Sequence, residues 1–173
     1  MHIFKVAGVS ALFTTTVLAA SVSSAPAYAQ SDIIRHNEPT FPIASAIEVP
    51  AGSSTIYLSG MGAPVTNTKA PQKSLEAYGD MATQTEGALK RIEDTLAGMG
   101  LTMGDVVQMH VFMVADAKTK KLDFEGMMKG YTKFFGTKSQ PNLPVRSAFG
   151  VAQLANPGWL VEIEVVAVRP SHH

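Results

Sequence analysis

Pro144-Val145-Arg146-Ser147-Ala148-Phe149-Gly150-Val151 is followed, after a short loop, by Leu160-Val161-Glu162-Ile163-Glu164-Val165. Both segments alternate with period two, the pattern of a half-buried strand. In the first, Ser147, Phe149 and Val151 share one face, and Arg146, Ala148 and Gly150 share the other. In the second, Val161, Ile163 and Val165 form an apolar face, from which Glu162 and Glu164 point away. If both bulky apolar parities turn toward the core, an arginine and a carboxylate project together from the side that the helices do not cover. The small residues beside Arg146 would leave room there for a ligand.

Upstream of these strands the periodicity is mixed. Ser31–Pro39 is polar and reads as a lead-in, Ile43–Val49 as a strand, and Pro50-Ala51-Gly52-Ser53 as a turn into a second strand, Thr55–Ser59, forming a β-hairpin. Gly60-Met61-Gly62-Ala63-Pro64 then offers either a plain turn or a backbone that a ligand or another chain can approach closely. Over Leu75–Met99 the period becomes helical, with Met81, Thr85, Ala88, Leu89, Ile92, Leu96 and Met99 on one stripe before Gly98 and Gly100 stop it. Val106–Val114 alternates again, Val107, Met109, Val111 and Met113 against Gln108, His110 and Phe112. Lys121–Phe135 predicts a second helix with Phe124, Met127, Met128, Tyr131, Phe134 and Phe135 along one side. The order β-β-α-β-α-β-β gives two helices, enough for one face of a sheet, and hence an α+β two-layer domain. The opposite face, with Gln108, His110, Phe112, Arg146, Glu162 and Glu164, is either solvated or an interface between subunits with sites in it.

Met1–Ala29 reads as an export signal. Lys5 supplies a basic start, Val6–Ala20 an apolar stretch too short to span a bilayer, and Ala27-Tyr28-Ala29 a small-x-small cleavage site. The remainder, 30–173, suits a single domain, exported to the periplasm or secreted and free of the membrane once the signal is removed. Fourteen basic and fourteen acidic residues give zero formal charge. With the lysines and arginines dispersed, nucleic acid is not expected as a partner. The absence of cysteine excludes disulfides, thiolate metal sites and a cysteine nucleophile. The terminal His172 and His173 are too short a tail to read as a metal site, and no metal is expected.

The ordered set Ile56-Tyr57-Leu58-Ser59-Gly60, Gln84-Thr85 to Gly100-Leu101, Asp105-Val106-Val107 to Val111-Phe112, Tyr131 to Phe135, Pro144-Val145-Arg146-Ser147 and Val161-Glu162-Ile163-Glu164 resembles the Rid family of reactive intermediate deaminases, also called the YjgF family. The resemblance covers about Pro42–Val168. It implies a chorismate-mutase-like fold in a homotrimer, with the sheets forming a central barrel and an active site in each cleft between subunits. It further implies hydrolysis of 2-imino acids to 2-oxo acids and ammonia without metal or organic cofactor. In that reading Arg146 grips the substrate carboxylate, Glu162 directs water, and Ser59, Gly60 and Ala148 line the substrate site.

Residue chemistry supports the same assignment. A guanidinium is a planar two-pronged donor suited to a carboxylate, although a structural ion pair of Arg146 with Glu162 or Glu164 is the plain alternative. The resemblance implies Glu162, in preference to Glu164, as the water-directing group. Three positions depart from the common family pattern: Ile43 stands for a tyrosine, Ala148 for a cysteine two residues after the arginine, and Met61 for a glutamine. Each removes a polar group from the cleft. A second reading is therefore a trimeric protein that binds small carboxylates, or holds clients, without turnover. A ribonuclease is disfavoured by the neutral charge.

Overall fold

The computed structural model describes residues 33–169 apart from residue 118. The expected export signal, Met1–Ala29, and the His172–His173 tail lie outside the described residues. Strand β1 (Ile34–Asn37), β2 (Ala44–Glu48) and β3 (Ser54–Gly62) precede a short helix α1 (Leu75–Tyr78) and the long helix α2 (Met81–Gly98). A single 3-10 turn (Met103–Asp105) leads into β4 (Val106–Met113), followed by α3 (Phe124–Tyr131), β5 (Val145–Gly150) and β6 (Val161–Arg169).

Local chemistry sets these boundaries. Gly79, at φ +86°, divides α1 from α2, and the Asp80 side chain accepts the Thr83 amide at 2.8 Å to open α2. Gly100, at φ +70°, lies just beyond the end of α2, in the left-handed conformation that glycine adopts without a Cβ penalty. Asp123 caps α3 in the same way, accepting from Gly126 at 2.8 Å. Thr102 and Asp105 satisfy each other's backbone reciprocally ahead of β4.

The main sheet runs β3-β6-β4-β5. β6 pairs antiparallel with both β3 and β4, whereas β4 and β5 are parallel and joined through α3. Helices α2 and α3 pack on one face. There Met81, Ala88, Leu89, Ile92 and Leu96 of α2 and Met127 and Tyr131 of α3 meet Met109, Val111 and Met113 of β4 and Val161, Ile163 and Val165 of β6, all buried. Each buried Val, Leu, Ile or Met side chain among these contributes about 1.5–3 kcal/mol through burial. The expected α+β two-layer architecture and helix stripe are thus present. Met99, expected on the stripe, instead sits at the end of α2 and is 36% exposed.

Two expectations need correction. β2 does not form a hairpin with β3. It pairs with β1, Arg35 opposite Ile47, in a separate two-stranded sheet, while β3 is claimed by β6 along most of its length. Ser31–Pro39 therefore contains a strand and is not only a lead-in. The small sheet is fastened to the main one by Arg35, whose guanidinium donates to the carbonyls of Val106 at 3.0 Å, Leu143 at 2.6 Å and Gly104 at 2.8 Å. The Ala44 amide adds a bond to Pro144 O at 3.0 Å. Burial lowers the Arg35 pKa from its ordinary value, and nearby Asp105 opposes that shift.

Candidate functional site

The second correction concerns the two faces of the sheet. Met109 is the register partner of Arg146, and Phe112 that of Phe149. Residues paired side by side share a face, so Arg146 lies on the helix side of β5 and Phe149 on the open side. Contacts agree: Phe149 stacks on Phe112 with centroids 5.8 Å apart and meets His110 edge-on at 5.7 Å. Edge strand β5 is too exposed for apolar parity to indicate its inward face, and Phe149 is drawn outward by these two aromatic neighbours.

Arg146 ends in a cage of rings. Its guanidinium carbon lies 4.4 Å from the Tyr131 ring centroid, 5.4 Å from Phe41 and 5.8 Å from Phe124. Phe41 and Phe124 stack on each other at 6.4 Å, and the Tyr131 hydroxyl donates to Pro42 O at 2.9 Å. Ring faces attract a cation, by about 0.5–1 kcal/mol at exposed sites and about 2 kcal/mol when desolvated, but they do not satisfy its N–H groups. The polar contact made by Arg146 is Nη1 to the Met128 thioether sulfur at 3.2 Å, a weak acceptor. Among the described residues no carboxylate forms an ion pair with it. Burial lowers the Arg146 pKa and raises that of the Tyr131 hydroxyl, the latter partly opposed by the Arg146 charge. The structure thus holds a half-buried, ring-walled cation with unused donors. Ala148 follows on the same side of β5, as expected from parity with Arg146.

Glu162 belongs to a different neighbourhood. Ser59 and Gly60 occupy an irregularity between Leu58, which pairs with Val165, and Met61, which pairs with Ile163, so two residues of β3 stand opposite Glu164 alone. A Cβ on Gly60 would fall on Glu162 Oε1, 3.0 Å from Cδ and 3.1 Å from Cγ. The Glu162 carboxylate therefore lies directly over the bare Gly60 backbone. Trp159 covers Gly62 in the same manner and donates from Nε1 to Ala63 O at 3.1 Å.

The two glutamates are distinguished by their partners. Glu164 Oε1 bonds His110 Nδ1 at 2.8 Å, and His110 Nε2 lies 3.0 Å from Gln108 Nε2. No ion pair among the described residues includes Glu162. His110, expected as an interface or solvated residue, is half-buried in this network on the open face.

The expected site residues accordingly divide into two groups: Arg146 and Ala148 at the β5 edge, and Ser59, Gly60 and Glu162 near the β3 edge. Two strand spacings of about 4.8 Å and three residues of about 3.3 Å put the Cα atoms of Arg146 and Glu162 roughly 14 Å apart, on opposite faces. Neither glutamate pairs with Arg146, which removes the structural ion-pair alternative. The ring cage was missed as a unit. Its detectable trace was the run of Phe124, Met128 and Tyr131 at helical spacing, read only as core.

A cavity of about 260 Å³ is bounded by Glu38, Ile43, Ser45, His110, Arg146 and Ser147, so Ile43 and Arg146 line the same space. A larger one, about 420 Å³, adjoins Asp80, Asp116 and Asp123, but these carboxylates bind the amides of Thr83, Thr119 and Gly126. Among the described residues, no group of three or more His, Cys, Asp or Glu could hold a metal ion, and no helix is long and apolar enough to cross a membrane.

A four-stranded sheet covered on one face by helices, with this arginine and glutamate on separate strands, defines an α+β domain of the Rid/YjgF type. YyfB of Yersinia pestis, described as a protein of unknown function of the conserved Rid family, has this fold, with TM-score 0.58 and 22% identity over 78% of this chain and 97% of that one. The family model for Endoribonuclease L-PSP matches residues 49–169, and the chain belongs to this Rid/YjgF family. It is similar to the "Putative reactive intermediate deaminase TdcF" of Escherichia coli K12, 33% identical over 94 residues, or 54% of this chain and 67% of TdcF. The crystal structure of E. coli TdcF with bound serine superposes with TM-score 0.52 and 29% identity, over 70% of this chain and 84% of TdcF.

Proposed function

We propose that the protein hydrolyses small 2-imino acids to 2-oxo acids and ammonia, in a site completed between copies of the chain. The carrying observation is the Arg146 guanidinium, walled by three rings and without a carboxylate partner among the described residues. Such a group binds a carboxylate through two parallel N–H···O bonds. Serine bound to TdcF is consistent with a small amino-acid-like ligand.

In this reading Glu162 takes a proton from water as the water oxygen bonds to the imine carbon. The C=N electrons move to nitrogen, which is protonated and departs as ammonia when the C=O forms. Gly60 lets Glu162 lie against the backbone, and Ser59 borders the same half-site. Because Arg146 and Glu162 are on opposite faces of one sheet, a substrate reaching both requires Arg146 of one copy and Glu162 of another. A homotrimer satisfies this requirement. It would also cover the open face, where Tyr57 is 79% and Phe149 44% exposed. The proposed compartment is the periplasm or the exterior, on the sequence of Met1–Ala29.

The test is release of 2-oxo acid from 2-iminobutanoate generated in place by an amino-acid oxidase. Arg146→Ala and Glu162→Gln should each lower the rate by about 10²-fold or more, and refolding the two together should restore about a quarter of wild-type sites by random association. Equal, slow turnover by wild type and Arg146→Ala would refute the activity, and failure to complement would refute the shared site. Ile43, which lines the same cavity as Arg146, favours one other reading, a carboxylate-binding protein without turnover. Tight 2-oxobutanoate binding with no hydrolysis would establish that reading instead.

A further inference from the structure

Met128 already engages one donor of the Arg146 guanidinium, with its sulfur 3.2 Å from Nη1. It is half-buried, whereas its neighbour Met127 is fully buried. Met81, Met103, Met109 and Met113 are likewise buried, leaving Met61, Met99 and Met128 as the described methionines with appreciable access to solvent. A thioether accepts hydrogen bonds weakly, so this contact yields readily to a carboxylate. A sulfoxide oxygen on the same sulfur is a strong acceptor, and its partner is already in place.

We propose that Met128 is an oxidation site whose sulfoxide occupies the Arg146 guanidinium and closes the anion site from within, an inference that rests on Arg146 as the carboxylate anchor. The reaction requires a two-electron oxidant of the peroxide class. The sulfur lone pair attacks the peroxide oxygen, the O–O bond breaks, an S–O bond forms and water leaves. Sulfur is oxidised and peroxide reduced, and the change is reversible by methionine sulfoxide reductases. The sulfoxide dipole then lies against a cation that lacks a carboxylate partner among the described residues, inside the walls of Phe41, Phe124 and Tyr131. A charge-assisted bond formed there competes directly with an incoming carboxylate.

The experiment treats the whole protein with hydrogen peroxide, verifies Met128 sulfoxide by peptide mass spectrometry, and compares 2-oxobutanoate affinity before and after within each variant. Wild type should weaken by about tenfold or more and recover after sulfoxide reductase treatment. Met128→Leu, a volume-conserving change, should keep its own affinity although Met61 and Met99 still oxidise. The Arg146 side-chain NMR resonances of ligand-free protein supply a second readout, shifting on oxidation in wild type only. Complete Met128 oxidation without that shift overturns the proposal, as does equal loss of affinity in Met128→Leu. If the reduced protein binds no carboxylate but the shift occurs, the anchor reading fails while the sulfoxide contact stands.

Discussion

Gly60→Ala separates the chemistry of this fold from its stability. Gly60 is not among the glycines at positive φ, so alanine carries no backbone strain there. Its cost is contact: the new Cβ would sit 3.0 Å from Glu162 Cδ and 3.1 Å from Cγ, with Oε1 closer still, where ordinary contact begins at 3.4 Å. The obstructing group is the end of a flexible side chain without an ion-pair partner among the described residues, so it can swing away. We expect a stability loss within about 1 kcal/mol. To clear the methyl group the carboxylate has to move by roughly an ångström, which is worth about 10²-fold in rate for a positioned catalytic group.

The assay is turnover of 2-iminobutanoate beside thermal and urea unfolding. Gly62→Ala provides the contrast, since its Cβ would enter the Trp159 ring, which is held by Ala63 O and packed edge-on against Tyr78 at 6.3 Å. That ring cannot swing aside, and about 1–3 kcal/mol of stability should be lost. Folded Gly60→Ala with wild-type turnover would refute the role given to Glu162.

Two further perturbations test the scaffold. Gln84 is fully buried and donates to Gly79 O at 2.9 Å and Gly158 O at 3.0 Å while accepting from Leu160 N at 2.8 Å. Gln84→Leu should therefore cost about 3 kcal/mol or more in urea unfolding, and a loss under about 1 kcal/mol would show that these backbone groups find other partners. The Asp80 carboxyl is held below its ordinary 3.8 chiefly by the Thr83 amide. Its stabilisation is fully present above that ordinary value and is lost as pH falls through the lower folded value. Asp80→Asn should flatten the acid side of the stability profile by about 1 kcal/mol at most, given an exposed cap. An unchanged profile would rule this contribution out.

Much of the interior was legible because its residues are buried on one face only. The stripe Met81–Leu96 and the alternations of β4 and β6 each meet the helix-sheet core, and hydrophobic period reports that geometry directly. β5 lies at an edge, where Ser147, Ala148, Phe149 and Gly150 are all exposed, so alternation identifies two faces without saying which is inner. Choosing by bulk placed Phe149 inward and moved Arg146 to the wrong side, the expected result of a parity error in a strand. β1 was missed for a related reason. Ile34-Arg35-His36-Asn37 has little apolar content, and it is held by three bonds to carbonyls distant in sequence. The separation of Glu162 from Glu164 depended on His110, a neighbour supplied by pairing between β4 and β6 rather than by spacing along the chain.

Phe41, in the link between β1 and β2, precedes the segment 49–169 that matches the family model, yet it forms one wall around Arg146. The anchor and part of its enclosure are therefore separate modules of the polypeptide. Exchange or loss of the leading hairpin would alter the shape of the ligand space while leaving every residue of the matched segment unchanged. Two proteins equally similar across 49–169 need not admit ligands of the same size, because the matched segment transmits the arginine and the preceding hairpin contributes to the room around it.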